Sequence, residues 1–219
     1  MSETEKSLRE TLAAAGKRLV EDNLVQGTWG NFSVRLDEKR MLVTPSGLDY
    51  LSLTPDDMVA VDIESLEYAG GLKPTSEKKL HAAIYKGRKD INAVIHTHSE
   101  YCSAAAAARV DLPADTDEIR RLVGQNIKCA AYGLPGTKKM TVAALAALDG
   151  RNACYLANHG AIAIGVSLEN AYAVCLALEF HTKNFIELAV MKKTGIKNFS
   201  DKALLAVFRG KLETAICYD

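Results

Sequence analysis

Apolar residues recur at spacings of three and four through Leu8, Leu12, Ala15, Leu19 and Val20, which predicts an opening amphipathic helix over residues 3–22. Gly27 and Gly30 end that pattern, and alternation then predicts a strand from about residue 31 to 36. A second short strand follows in "RMLVTPSG", with a hairpin turn at "EKR" between the two. In "LTPDDM", Thr54 reads as an N-cap with Pro55 in the first helical position. "MVAVDI" is strand-like, and "YAGGLKP" is a loop. Helical spacing returns in "TSEKKLHAAIYKGR", with Leu80, Ile84 and His81 facing inward.

The second half continues in the same manner. "INAVIHTH" predicts a buried strand, and the alanine-rich "SEYCSAAAAAR" a closely packed helix. "NIKCAAYGLPGT" reads as strand then turn, and "KKMTVAALAALDG" as a helix ended by Gly150. "ACYLANHGAIAIG" reads as two strands around Asn-His-Gly. A long helix follows, capped by Ser167, and a last helix is predicted over about 200–214. Strands and helices alternate irregularly, which suggests an α/β chain with helices on a mostly antiparallel sheet.

Composition narrows the class. Apolar residues make up 48% of the 219 positions and charged residues 25%, ordinary values for a globular chain, here expected as one domain over 1–219. Lys+Arg and Asp+Glu both number 27, so the net charge is zero and no basic stripe suggests nucleic acid. No apolar run approaches the roughly 18 residues of a membrane span, and the N-terminus lacks the pattern of a signal peptide. The five cysteines are widely spaced and never form C-x-x-C, which favours reduced thiols. A cytoplasmic location is the expectation.

The chemistry concentrates in "AVIHTHSEYC". On a strand, residues i and i+2 share a face, so His96 and His98 project together. Alone, H-x-H reads equally well as two ordinary strand residues. His159 in "NHG" offers a third imidazole, with Gly160 permitting a sharp turn, and three ligands with an open position is the pattern of catalytic zinc. The H-x-H-x-D-H run of metallo-β-lactamase-type hydrolases is absent, and an amidohydrolase barrel needs a longer chain. In "KPTSEKK", Thr75 and Ser76 stand at a predicted helix start, where free N–H groups favour an anion. "TWGN" and "TPSG" add small polar donors and glycines, although each of these segments taken singly reads as a turn or a cap. Glu77 beside them is either a partner of the helix dipole or a carboxylate that reaches the metal site.

The ordered set "GNFSVR", "TPSG", "KPTSE", "VIHTHS", "AYGLPGT" and "NHG" resembles the zinc-dependent class II aldolase/adducin-head family, from about residue 8 to 190. The resemblance implies a three-layer α/β/α sandwich, usually a homotetramer with active sites between subunits. It implies that His96, His98 and His159 bind Zn²⁺, with Glu77 as fourth ligand and acid/base. Mn²⁺, Co²⁺ or Fe²⁺ suit such donors as well. It places a substrate phosphate on Asn31, Ser46, Gly47, Thr75 and Ser76, with Gly30 allowing close approach. The implied reaction is reversible cleavage of a phosphorylated ketose, fuculose-phosphate-like, to dihydroxyacetone phosphate and a short aldehyde through a metal-stabilised enediolate.

Within that family, epimerases acting on pentulose 5-phosphates typically carry Asp where this chain has Glu77, which favours the aldolase reading. Sugar-acid-phosphate decarboxylases and a non-catalytic adducin-like scaffold are the other readings. Family aldolases also use a tyrosine from a neighbouring subunit to protonate the aldehyde oxygen in the condensation direction. No tyrosine lies between Cys102 and Ala131, and Asp117 stands near the matching position. Asp117 is therefore a candidate acid or specificity residue, though its acidic cluster also reads as a solvated helix start. Tyr218 is a candidate for a second, C-terminal tyrosine. His81 reads as packed behind the site, His181 as structural and Trp29 as a packing residue.

Overall fold

A computed structural model describes residues 3–195. Eight strands form one sheet in the order β3-β2-β1-β4-β8-β7-β6-β5. They are β1 (Asn31–Arg35), β2 (Arg40–Val43), β3 (Val59–Asp62), β4 (Ala93–Thr97), β5 (Leu112–Pro113), β6 (Asn126–Ala130), β7 (Ala153–Leu156) and β8 (Gly160–Gly165). The helices are α1 (Glu3–Glu21), α2 (Lys78–Gly87), α3 (Glu100–Ala108), α4 (Asp117–Val123), α5 (Lys138–Leu148) and α6 (Leu168–Thr194).

The sheet is mixed. β6 and β7 run parallel, and the other neighbouring pairs are antiparallel. The parallel pair arises because α5 carries the chain from the end of β6 back to the start of β7. Side chains alternate between two apolar clusters on opposite faces. Phe32, Val34, Ala93 and Ile95 join a cluster fed by α1, α3, α4 and α6. Val94, Ile162 and Ile164 join another fed by α2 and α5. Every residue of β4 is buried, as expected of a central strand covered on both faces.

Most predicted elements form where the periodicity places them. The N-caps of α5 and α6 are Thr137 and Ser167, whose hydroxyls accept from the N–H groups of Met140 and Asn170. Two expectations change, and one strand was not foreseen. Thr54 and Pro55 open only a three-residue 3-10 turn, closed by the Asp57 carboxylate, which accepts from the Thr54 N–H and hydroxyl. Helix α2 begins at Lys78, so Thr75 and Ser76 lie in the preceding loop and Glu77 is the N-cap. The two-residue β5 carries too little pattern to be read from sequence. The predicted helix over 200–214 lies outside the described residues.

The fold brings three strand ends together. β4 pairs with β1 on one side (Asn31 opposite His96) and β8 on the other (His96 opposite Ile162). Being antiparallel, the C-terminal end of β4 meets the N-terminal ends of both neighbours. That end of the sheet is where the chemistry collects.

Candidate metal centre and adjoining cleft

His96 is the last-but-one residue of β4, and His98 follows just past the strand end. His159 lies in the tight connection between β7 and β8. The turn there is made by Asn158, which takes the left-handed conformation (φ 58). Gly160 is needed for a different reason from the one expected. A Cβ on Gly160 would sit 2.3 Å from the Thr97 carbonyl oxygen and 3.2 Å from His96 Cε1, so glycine lets β8 approach β4 beside the histidines. Gly30 combines both constraints: its φ is +84, and a Cβ there would lie 2.6 Å from the His96 carbonyl oxygen.

The three imidazoles converge. His96 Nε2 lies 2.9 Å from His98 Nε2 and 3.3 Å from His159 Nε2, and the three ligand atoms all fall within 4.8 Å of one another. His96 Nδ1 donates to the Ala161 carbonyl at 2.9 Å, which leaves its Nε2 lone pair facing the cluster. Burial, followed by the charge of His159, lowers the pKa of His96 to about 3. Burial and the neighbouring His96 and His159 lower that of His98 to about 3 as well. The His96 and His98 rings are therefore neutral, the state in which imidazole binds metal.

Glu77 closes the group. It is 3% exposed, and its Oε2 lies 3.3 Å from His96 Nε2. With His96 neutral this is not a salt bridge but two lone pairs facing each other. Its Oε1 is buried, accepts no hydrogen bond and lies 3.7 Å from His159 Nε2. An orphaned carboxylate oxygen among bare imidazole nitrogens is costly without a cation, and it fits one well. Three nitrogens and one carboxylate suit Zn²⁺ and the neighbouring divalent ions.

Beside this group opens a cleft of ≈ 390 Å³ whose walls include Glu77, His98 and His159. Its other side is built from two loops stitched together. Thr75 N–H donates to the Thr44 carbonyl, Ser46 N–H donates to the Lys73 carbonyl, and Pro45 bridges Pro74. This sets Ser46 and Gly47 beside Thr75 and Ser76 on the cleft wall, with Gly30 and Asn31 also lining it. The sequence-predicted phosphate positions thus meet in one cleft with His98, His159 and Glu77, and His96 is buried directly behind them. Asp117 does not line it; it is exposed on α4 and pairs with Arg120 at 2.6 Å. Tyr218 lies outside the described residues.

Three further features differ from, or go beyond, the sequence reading, and a fourth agrees with it. Trp29 does not pack in the core. It is 64% exposed on the cleft wall, with its ring 5.9 Å from that of His98. Asn31 is not a free surface donor, because its Nδ2 donates to Glu77 Oε2 at 2.9 Å and its Oδ1 lies 2.6 Å from His81 Nε2. Glu179, on α6, reaches the N-terminus of α3 and accepts from Ser99 Oγ, Tyr101 N–H and Cys102 N–H at 2.7–2.9 Å. It anchors the segment immediately after His98. His181 is held by the Pro113 carbonyl at 2.8 Å, a structural contact away from the cleft.

A family profile described as the Class II Aldolase and Adducin N-terminal domain matches residues 10–186. The chain belongs to this family. It is 34% identical over 201 residues to a 5-deoxy-D-ribulose 1-phosphate aldolase of Bacillus thuringiensis serovar kurstaki, covering 89% of this chain and 94% of that protein. It is 40% identical over 148 residues to the L-fuculose phosphate aldolase of Escherichia coli K12, covering 68% of each. A solved structure of an L-fuculose 1-phosphate aldolase superposes with a TM-score of 0.80 at 32% identity, covering 97% of this chain and 98% of that one. Among the described residues no helix is long and apolar enough to cross a membrane.

Proposed function

We propose that the protein is a divalent-metal-dependent aldolase that reversibly cleaves a ketose 1-phosphate to dihydroxyacetone phosphate and a short aldehyde. One observation carries the reading: three converging imidazoles and the orphaned Glu77 Oε1 form a group of which His98, His159 and Glu77 line a cleft, and the cleft's far wall includes Ser46, Gly47, Thr75 and Ser76. The names of the relatives support a ketose 1-phosphate as the substrate class. His96, His98, His159 and Glu77 are the residues that would hold the cation, with Zn²⁺ the expected ion. When bound, it supplies Lewis-acid stabilisation of negative charge on the ketose oxygens.

The remaining steps belong to the chain. Ser46, Gly47, Thr75, Ser76 and Asn31 hold the phosphate and so orient the carbon skeleton towards the histidines. In cleavage, the bond between C3 and C4 breaks, its electron pair stays on C3, and the C4 hydroxyl gives its proton to solvent as the aldehyde forms, while Glu77 takes one up from solvent. Glu77 then returns a proton to C3; in condensation it removes that proton. The distance of Asp117 from the cleft within one copy means that a role as the aldehyde-side acid requires a second copy of the chain. A homotetramer with sites between subunits is the assembly proposed, and sedimentation analysis tests it.

The deciding experiment is hydrogen–deuterium exchange at the hydroxymethyl carbon of dihydroxyacetone phosphate, followed by proton NMR on metal-loaded protein without aldehyde. Metal-dependent exchange is expected. No exchange with metal demonstrably bound would refute the aldolase reading and favour a pentulose-phosphate epimerase or a decarboxylase.

A further inference from the structure

Behind Glu77 runs a buried line of side chains that the proposed reaction has not used. Glu77 Oε2 accepts from Asn31 Nδ2 at 2.9 Å, and Asn31 Oδ1 lies 2.6 Å from His81 Nε2. His81 Nδ1 lies 2.7 Å from Ser33 Oγ, which lies 2.9 Å from the Tyr85 hydroxyl. Ser33, His81 and Tyr85 are 0% exposed and Asn31 is 7% exposed, so no solvent competes for these partners.

The direction of every bond follows from what each group can do. A carboxylate only accepts, so the Asn31 amide must turn its nitrogen to Glu77. Its oxygen then needs a donor, so His81 carries its proton on Nε2. A neutral imidazole has one N–H, so Nδ1 is the acceptor and the Ser33 hydroxyl donates to it. Ser33 Oγ in turn accepts from Tyr85. Burial, which lowers the pKa of His81 to about 4, agrees with a neutral ring.

Resting on the reading above that Asn31 helps to hold the phosphate, we propose that His81, fixed by Ser33 and Tyr85, is a positioning residue that locks the Asn31 amide with both N–H groups towards anions. One N–H meets Glu77. The other is left for the phosphate in the cleft that Asn31 lines. Without the His81 donor the amide can rotate by half a turn, and its oxygen then faces both the carboxylate and the phosphate. The lock turns an amide that is symmetric in shape into one that is asymmetric in charge. It also fixes the Glu77 carboxylate that is proposed to move the proton.

The test compares His81→Leu with His81→Gln, since the Gln amide nitrogen reaches the position of His81 Nε2 and still donates. Inorganic phosphate is titrated into metal-loaded protein by calorimetry, and the His81 tautomer of the unaltered protein is read from its ring ¹⁵N shifts. The expected results are an Nε2–H tautomer, at least about tenfold weaker phosphate binding in His81→Leu, and affinity within about threefold of wild type in His81→Gln. An Nδ1–H tautomer, an unaltered protein that binds no phosphate, unchanged affinity in a folded His81→Leu, or equal losses in the two variants would each overturn the proposal. Equal losses would mean packing rather than donation. The tautomer needs no variant, so a His81→Leu protein that fails to fold leaves the proposal open to refutation. Phosphate binding requires no turnover. Failure of the exchange experiment therefore refutes the aldolase reading alone, and failure here with exchange intact refutes only the lock.

Discussion

Removing the Glu179 carboxylate tests whether α6 holds the metal centre in place from a distance. Ser99 is the N-cap of α3, yet its hydroxyl makes no capping bond and donates to Glu179 instead. Glu179 also accepts from two N–H groups of the first turn, those of Tyr101 and Cys102. A hydrogen bond to a charged group contributes about 1.5–3 kcal/mol when fully buried. These three are only part-buried, and water can reach the freed donors, so about 1 kcal/mol each is a reasonable figure. Loss of an anion at a helix N-terminus adds about 0.3–1 kcal/mol. Glu179→Ala should therefore cost about 3.5 kcal/mol, or roughly 7–14 °C in Tm for a chain of this size. Glu179→Gln keeps one acceptor oxygen and should cost about half as much. Because Ser99 follows His98 directly, the Ala variant should also bind Zn²⁺ more weakly. Urea unfolding of the metal-free protein measures the first effect, and competition with a chromophoric chelator the second. A loss below about 1 kcal/mol with unchanged metal affinity would show that β4 alone places His98.

Three further outcomes follow from the site. Glu77→Gln should retain the metal, measured by elemental analysis, while exchange on dihydroxyacetone phosphate falls by about 10²–10⁴-fold; near-normal exchange would remove Glu77 from proton transfer. Gly30→Ala places a Cβ 2.6 Å from the His96 carbonyl oxygen at a φ of +84, so it should destabilise the fold by about 2 kcal/mol or more, and a neutral effect in chemical unfolding would contradict the packing described here. Stripping metal with a chelator should lower Tm and abolish exchange, and Zn²⁺, Mn²⁺ or Co²⁺ should restore both; a Tm indifferent to metal would argue against the four-residue centre.

Much of the centre was legible because its signals are local. His96 and His98 share a face by strand geometry, Ser167 and Gly150 punctuate helices by capping chemistry, and the motifs occur in a diagnostic order. Where local rules conflict with packing, the sequence misled. Trp29 reads from sequence as a packing residue, but it stands 64% exposed on the cleft wall. Gly160 was expected to make the turn that Asn158 makes, because a steric requirement against a strand distant in sequence leaves no trace in the local pattern.

The sequence by itself determined most of the elements and the family, and it singled out the three histidines and Glu77 as candidates. Tertiary structure alone decided what stands behind them. Asn31 and Ser33 are two apart on β1, and Glu77, His81 and Tyr85 are four apart at the start of and along α2, so each series shares a face of its own element. That those two faces meet, and that Glu179 of α6 caps α3, depends on contacts between residues 46 to 80 positions apart. Periodicity and capping report only a few residues on either side, whereas such pairings are set by how whole elements pack against one sheet.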